Sequence, residues 1–419
     1  MASGENLPEN FRSHAHSAWG PLREPLFRSL WIASLVSYIG TWMQNVGAGW
    51  LMTQLSLSPL MVSLVQAAAT VPVFLVILPA GALADLVDRR KFLLITQSWM
   101  VVASAALGVL TILHFVTPWV LLGFTFLLGL GAVVNDPAWQ AITPETVSAR
   151  RFTPAVALNS VGYNVARAIG PAVGGVIVAA AGSGIAFLIN AVSFLGVITF
   201  LFRWKRPAPE TKNVKMMEAL REGFHYGRTT HLVRCVLIRT GAFSLGASAL
   251  LALLPLIAKP YGASGYGVLL ASFGLGALAG GAALPRLRHQ LSVDRLVAFS
   301  IVVFALGTFA AGRVEMFWLL NIALFFCGTA WIGILACLNV VAQTMSPPSL
   351  RARALSMYLL VLQGGMAVGS AIWGLVATQK GIAEAMLFSA LALLAGLPAL
   401  RKYRLSSHEL DLAPAVVRE

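Results

Sequence analysis

Twelve apolar runs, each about the length that spans a bilayer, follow one another with little chain between them. They lie at approximately 27–53, 59–83, 92–114, 118–142, 154–180, 184–203, 234–257, 265–286, 294–312, 316–344, 354–378 and 383–400. With 58% hydrophobic residues, 11% charged and a mean hydropathy of +0.79, no soluble domain fits this length. The runs predict an all-α membrane protein of twelve transmembrane helices. The breaks between them make chemical sense. Ser58-Pro59, Thr117-Pro118 and Gly182-Ser183-Gly184 read as tight, nearly uncharged turns, and Arg89-Arg90-Lys91 and Arg150-Arg151 as basic ones.

The net charge of +14 comes from bases dispersed at the ends of apolar runs, not from a basic stripe interleaved with aromatics, so nucleic acid is not an expected partner. With the N-terminus placed in the cytoplasm, 26 of the 30 Lys and Arg fall on cytoplasmic segments. Three, Lys259, Arg313 and Lys380, fall outside, and Arg167 lies within a helix. That asymmetry predicts cytoplasmic termini. Residues 1–25 read as a cytoplasmic tail without a signal peptide. Its His14 and His16 are too few to define a metal site, and Cys235, Cys327 and Cys337 read as packing residues without metal-ligand spacing. No metal and no cofactor is expected. No phosphate-binding Gly-Lys-Ser/Thr loop is present in the sequence, so direct ATP drive is not expected and neither is an enzyme.

The longest polar stretch divides the runs six and six. The expected organisation is a six-helix lobe over 26–203, a cytoplasmic linker over 204–233, a second lobe over 234–402 and a tail over 403–419. In the linker, Met216, Met217, Leu220 and Phe224 share a helical face beside Lys215, Glu218, Arg221 and Glu222. This reads as an amphipathic helix on the inner leaflet, or alternatively as a site for a soluble partner. The halves repeat: Gly170-Pro171-Ala-Val-Gly174-Gly175 corresponds to Gly369-Ser-Ala-Ile-Trp-Gly374, each after a short basic loop. A duplicated unit of this kind points to two pseudo-symmetric lobes with a substrate path between them.

The segment Gly81-Ala-Leu-Ala-Asp85-Leu-Val-Asp88-Arg89-Arg90-Lys91 joins the second and third runs. Asp85 and Arg89 are spaced to pair on a helix. Gly81, Leu83, Ala84, Asp85, Arg89 and Arg90 resemble the loop signature of the major facilitator superfamily, although Leu86 and Asp88 stand where that signature has Arg and Gly. Together with Asn-Asp-Pro-Ala-Trp-Gln-Ala-Ile-Thr-Pro-Glu at 135–145 and Arg351-x-Arg353, the segment resembles the bacterial enterobactin-exporter-like, secretion-effector branch. The resemblance implies the major facilitator fold, alternating access and residence in the bacterial inner membrane. It also implies proton-driven export of a small siderophore-like or drug-like molecule. The chain is expected to act as a monomer among membrane lipid, with a proton or another ion as coupling partner. An uptake permease and a non-transporting scaffold or sensor are the alternatives.

Four groups of residues are candidates for the work. Gly81, Asp85, Arg89, Arg90 and Asp136 are expected to form a latch on the cytoplasmic face, with Asp136 beside Asp85 and Arg89 or, alternatively, at a solvated helix end. Gly170, Pro171, Gly174 and Gly175 resemble the fifth-helix signature of drug–proton antiporters, with Ala157 and Ala166 in place of its upstream glycines. There they seal one end of the path, or serve ordinary packing. Pro171 is expected to kink the helix. Arg167 is expected near the midplane, binding an anionic or catecholate-type group or bracing the lobe through groups such as Asn164. Gln44, Asn45, Gln66, Asn159, Asn164 and Gln363 are candidates for the substrate path or for interhelical bonding, with Asn190, Asn321 and Asn339 as further polar residues in apolar runs. Trp42, Trp50, Trp331 and Trp373 are candidates for an aromatic cavity wall, and Trp119 for an interface anchor. No acid stands in the middle of the first, seventh or tenth run, so the residues do not identify a coupling site.

Overall fold

The computed structural model describes residues 19–86, 88–204, 230–344 and 351–398. The expected linker helix and its Met216, Met217, Leu220 and Phe224 lie outside the described residues, as do His14 and His16.

The chain is all-helical among the described residues. In order, the helices are α1 Pro25–Leu55, α2 Pro59–Leu86, α3 Arg89–Ile112, α4 Pro118–Thr146, α5 Phe152–Arg203, α6 His231–Ile257, α7 Gly262–Gln290, α8 Val293–Ala311, α9 Phe317–Thr344, α10 Arg351–Lys380 and α11 Ile382–Ala395. Nine spans among the described residues are long and apolar enough to cross a membrane. α5 contains two of the expected runs in one helical element, broken where Gly182 adopts φ +81° and ψ 165°. A Cβ at Gly182 would meet nothing within 4 Å. The glycine is therefore required by the left-handed backbone and not by lack of space. The break separates a first arm, 152–181, from a second, 183–203.

Several boundaries differ from the hydropathy reading. α4 continues to Thr146 through polar Thr143-Pro144-Glu145, since backbone hydrogen bonding does not stop where apolar residues do. α11 is short, at 14 residues. The expected tail is structured from Trp19. Gly20–Arg23 forms a 3₁₀ turn with Gly20 and Pro21 buried. Glu24 then accepts hydrogen bonds from Ser148 N and Oγ and from Arg151 Nη1 at 3.2–3.3 Å. The backbone stays helical through Pro171, so the break in α5 falls at Gly182 and not at the proline.

Each half of the chain has its own apolar core. In the first half α1, α3 and α5 pack together beside α2 and α4. In the second, Phe243 of α6, Phe273 of α7, Phe304 of α8 and Trp331 of α9 form one aromatic cluster with centroid separations of 5.4–6.0 Å. The halves meet mainly along two seams, α5 against α7 and α2 against α10 and α6.

Candidate functional site

Side chains three, four or seven residues apart share a helix face. Tyr38, Trp42 and Asn45 therefore share one face of α1, and Asn159, Tyr163 and Arg167 share one face of α5. The two faces meet. Tyr163 stands edge-on to Tyr38 at 5.3 Å and to Trp42 at 6.4 Å between ring centroids. The Arg167 guanidinium lies 5.9 Å from the Trp42 ring centroid and 5.6 Å from that of Phe273 on α7, so one cation is framed by an aromatic ring from each half. An arginine in the middle of a membrane helix costs about 2.5–3.5 kcal/mol on insertion scales. Two ring faces contribute about 0.5–2 kcal/mol each. A guanidinium held over rings keeps its in-plane N–H donors available to an incoming acceptor.

Asp136 stands on α4 about 15 Å from the helix end at Thr146, and Tyr163 stands about 16 Å from the start of α5, at 1.5 Å per residue. The carboxylate interacts electrostatically with both Tyr38 and Tyr163, and Trp139 lies beside the Tyr38 hydroxyl. Asp136 is solvent-exposed while its neighbour Asn135 is buried and accepts hydrogen bonds from Thr96 Oγ1 at 3.3 Å and Gln97 Nε2 at 3.1 Å. Arg167 in turn interacts with Tyr163. The result is a line, Asp136–Tyr38/Tyr163–Arg167–Phe273, running from one half toward the other.

The glycines of the fifth run face two ways. Built Cβ atoms at Gly170 and Gly174 would stand 2.6 Å from Trp42 Cβ and 2.7 Å from Met43 Cα, both on α1. One at Gly175 would stand 2.7 Å from the Ala263 carbonyl oxygen and 2.8 Å from Gly267 Cα, both on α7. Gly274 of α7 comes as close to the Arg167 carbonyl oxygen and Ala168 Cα. Pro171 has no N–H to give that carbonyl, which leaves it free to meet the α7 backbone. The repeat in the second half behaves in the same way. Gly369 faces Ser248 and Leu245 of α6, and Gly374 faces Ser63 and Leu60 of α2. Leu60 N donates to Thr378 Oγ1 at 3.2 Å, and Gly364 accommodates the Phe74 ring. Gly175, Gly267, Gly374 and Leu60 all stand near the Pro59, Gly182, Gly262 and Lys380 end of the bundle, opposite the basic turns.

At the basic end, Asp88 caps α3 by accepting from Arg90 N at 2.9 Å and Lys91 N at 3.4 Å. Arg90 Nε and Nη2 donate to the Leu201 and Phe202 carbonyls at 2.7 and 2.9 Å, closing the C-terminus of the second arm of α5. Arg89 Nη1 pairs with Glu145 at 3.2 Å. Glu145 lies nine residues beyond Asp136, about 13 Å along α4. Gly81 lies in the last turns of α2, and its surroundings and the Asp85 side chain are outside the described residues.

The other polar candidates divide. Gln44 is buried, and its amide oxygen accepts from Ser104 Oγ at 2.7 Å and from Asn190 Nδ2, so it ties α1 to α3 and to the second arm of α5. Asn159 Nδ2 donates to Thr143 Oγ1 at 3.0 Å, and Asn164 Nδ2 to its own helix at Ser160 O. Asn45 is exposed on the Trp42 face, and Gln66 and Gln363 are half-buried. Asn321 accepts from Ser272, and Asn339 from Gln343. Trp331 belongs to the aromatic core of the second half and not to a cavity wall. Trp373 donates to the Leu245 carbonyl at 2.6 Å. Trp119 is 67% exposed. Sequence reasoning missed Tyr38, Tyr163, Phe273 and Glu145. For the tyrosines the available signal was their helical spacing from Trp42, Asn45 and Arg167.

Residues 16–417 match the family of transmembrane secretion effectors. The chain is similar to the enterobactin exporter EntS of Salmonella paratyphi A, at 25% identity over 401 residues, 91% of this chain and 95% of that one. It is also similar to the staphyloferrin A transporter of Staphylococcus aureus, at 31% identity over 163 residues, 39% of this chain and 41% of that one. Among solved structures, a bacterial homologue of the human lysosomal transporter Spinster superposes with a TM-score of 0.74 at 14% identity, covering 92% of this chain and 99% of that one. The nucleoside transporter NupG superposes with a TM-score of 0.72 at 13% identity, covering 91% and 100%.

Proposed function

Because the chain belongs to the transmembrane secretion effector family of membrane transporters, we propose that it exports a small siderophore-like or drug-like molecule by alternating access driven by protons. In this reading twelve spans form two six-helix lobes, and Gly182 supplies the turn between the fifth and sixth. Both termini face the cytoplasm of a bacterial cell, and the monomer sits in the inner membrane. The positive-inside distribution of bases supports that orientation. It makes the glycine seams the outer gate and the basic end the inner one, and in this reading the resting state is closed outside and opens inside. Gly175 and the Pro171 carbonyl meet α7 at the outer gate, and Gly170 and Gly174 hold that arm of α5 against α1. Arg89, with Glu145 and, by the family resemblance, Gly81 and Asp85, forms the inner latch.

The observation that carries the reading is Arg167, set between Trp42 of one half and Phe273 of the other on a face shared with Tyr163 and Asn159. A cation framed by rings at the junction of two rocking bodies suits an anionic, oxygen-rich aromatic substrate, and substrate contact there bears on both halves at once. Asn45, Gln66 and Gln363 extend the polar lining, while Gln44, Asn159 and Asn164 hold helices in place. The relatives whose names record siderophore export or transport support the substrate class and the direction.

Everted vesicles with an imposed inside-acid gradient test it, with labelled enterobactin as the probe. Accumulation that collapses with the gradient is the expected result. Accumulation only in right-side-out vesicles contradicts export and makes the chain an uptake permease. Arg167→Ala is expected to raise the apparent Kd for the probe while leaving the amount of folded protein unchanged.

A further inference from the structure

We infer that the groove between α1 and the second arm of α5 seats one anionic phospholipid, with an acyl chain along the groove and the phosphate between Arg28 and Arg203. The lipid belongs to the leaflet on the side of the basic turns. The inference needs only that the chain spans a membrane, whatever the substrate and direction of transport.

The groove is a cavity of about 640 Å³. Ile32, Val36 and Met43 of α1 form one wall, and Ile189, Val192 and Gly196 of the second arm form the other. Ile32, Val36, Ile189 and Val192 are exposed, and on membrane spans such side chains have lipid as their solvent. A Cβ at Gly196 would meet nothing within 4 Å, so glycine there opens the wall. The floor lies at Gly40, where a Cβ would stand 2.5 Å from Asn190 Oδ1 and 2.7 Å from Ser193 Oγ. From Ser29 to Met43 the groove runs about 21 Å along α1, against about 15 Å for the hydrocarbon of one leaflet. Two residues are more than half a helical turn, so Val36 and Gly40 face away from Tyr38 and Trp42. The groove is therefore separate from the Arg167 site. Both walls belong to the first half, so the seat persists when the halves move.

Each wall ends in an arginine. Arg28 precedes Ile32 by four residues and Arg203 follows Gly196 by seven, so each shares the face of its wall. The helix register brings the two together. Gly47 faces Phe187, and Gly40 faces Ser193. Leu30 lies in one buried cluster with Val197, Phe200, Leu201 and Trp204. The same antiparallel count puts Arg203 beside residues 30–31, about 3–5 Å from Arg28 along the axis. Both arginines are exposed, and among the described residues neither enters an ion pair. Glu24, the acid nearest Arg28 in sequence, is engaged by Ser148 and Arg151. Arg203 is not needed as a cap, because Arg90 already bonds the Leu201 and Phe202 carbonyls. Two guanidinium forks flanking one anion match a phosphate. Ser29 Oγ, at the mouth, donates to Leu26 O at 2.9 Å and keeps its lone pairs for a headgroup hydroxyl. A second copy packed by two-fold symmetry would bring the same arginines against these, so charge favours lipid over a dimer.

The test offers the full chain, purified in detergent, equal amounts of phosphatidylglycerol and phosphatidylcholine, and reads retained lipid by native mass spectrometry. Preferential retention of one phosphatidylglycerol is expected. An arginine near an anionic lipid headgroup is worth about fivefold, so Arg28→Gln with Arg203→Gln is expected to weaken phosphatidylglycerol by about 30-fold. Arg295→Gln, at an exposed arginine of the second half, is expected to leave it unchanged. Gly196→Trp fills the groove while keeping both arginines, and is expected to lose the lipid at an unchanged Tm. Equal retention of the two lipids, or an equal loss in Arg295→Gln, makes the attraction diffuse and overturns the seat. Displacement by equimolar inorganic phosphate, or full retention in Gly196→Trp, shows an anion contact without a chain in the groove and overturns it as well. A groove without lipid also overturns it: in a dimer the groove goes to a second copy, and in a monomer to another stretch of this chain.

Discussion

The two ends of the bundle are held by different physics. At the Gly182 end the halves touch backbone to backbone. Gly175 meets Gly267 and Ala263, Gly374 meets Leu60 and Ser63, and among the described residues a hydrogen bond from Leu60 N to Thr378 crosses between them. Among the described residues the ion pairs Arg89–Glu145, Arg151–Glu24 and Arg239–Asp294 at the basic end, like Arg313–Glu384 at the Gly182 end, each join segments of a single half. Lipid tails give apolar helices no hydrophobic reason to associate, so a glycine seam is held chiefly by close packing. That contact is short-ranged, since a gap of about 0.5–1 Å already forfeits a quarter to a half of the dispersion attraction. Partly exposed ion pairs are weak, screened and adjustable. The comparison teaches that one end of the bundle is a fitted surface between the halves, while the charges at the other brace each half internally, as the proposed two-gate cycle requires.

The largest expected effect attacks the charged end. Asp85→Asn is expected to abolish turnover with little loss of folded protein, as judged by size-exclusion yield; unchanged transport removes Asp85 from the latch. Next is the fitted surface. Gly175→Leu places a side chain into the α7 backbone, and overpacking of about 1–3 kcal/mol corresponds to a loss of about 5- to 150-fold in the closed state. Gly123→Ala, where a Cβ meets nothing within 4 Å, is its control and is expected to transport normally. If Gly175→Leu also transports normally, the seam is not a gate. A third test separates rigidity from gating. Arg239 is 1% exposed and bonds Asp294 at 2.6 Å, while Asp294 is 28% exposed. Arg239→Ala is expected to destabilise the second half by about 1–3 kcal/mol, less than a fully buried pair, and to lower Tm without altering the side from which the cleft is labelled. The smallest effect belongs to Arg89–Glu145, at 28% and 26% exposure. A double-mutant cycle is expected to give about 0.2–1 kcal/mol of coupling, reduced by salt.

Much of the scaffold is written locally, and much of the site is not. The apolar runs, the Ser58-Pro59 and Thr117-Pro118 turns and the break at Gly182 all follow from hydropathy and backbone preference. The fifth-run glycines were legible as close-packing residues, but not their split between α1 and α7, because partner choice is a tertiary fact. Arg167 was conspicuous by its cost. Tyr38 and Tyr163 were not, since a tyrosine in an apolar run reads as part of that run. Asp136 was placed too near the helix end because hydropathy stops α4 at residue 142, whereas its hydrogen bonding continues to Thr146. The partner role of Glu145 was hidden for the same reason: in sequence it belongs to a loop.

One measurement bears most directly on the proposal that the transporter rests closed at its glycine end and opens at its basic end. Cys235, Cys327 and Cys337 are all buried, so an introduced thiol is read against low background. Asn45→Cys, on the Trp42 face of α1, is labelled with a membrane-impermeant maleimide in everted and in right-side-out vesicles. The expected result is fast labelling from the cytoplasmic side only, in the absence of substrate. Equal labelling from both sides, or faster labelling from outside, contradicts the assignment of the two gates.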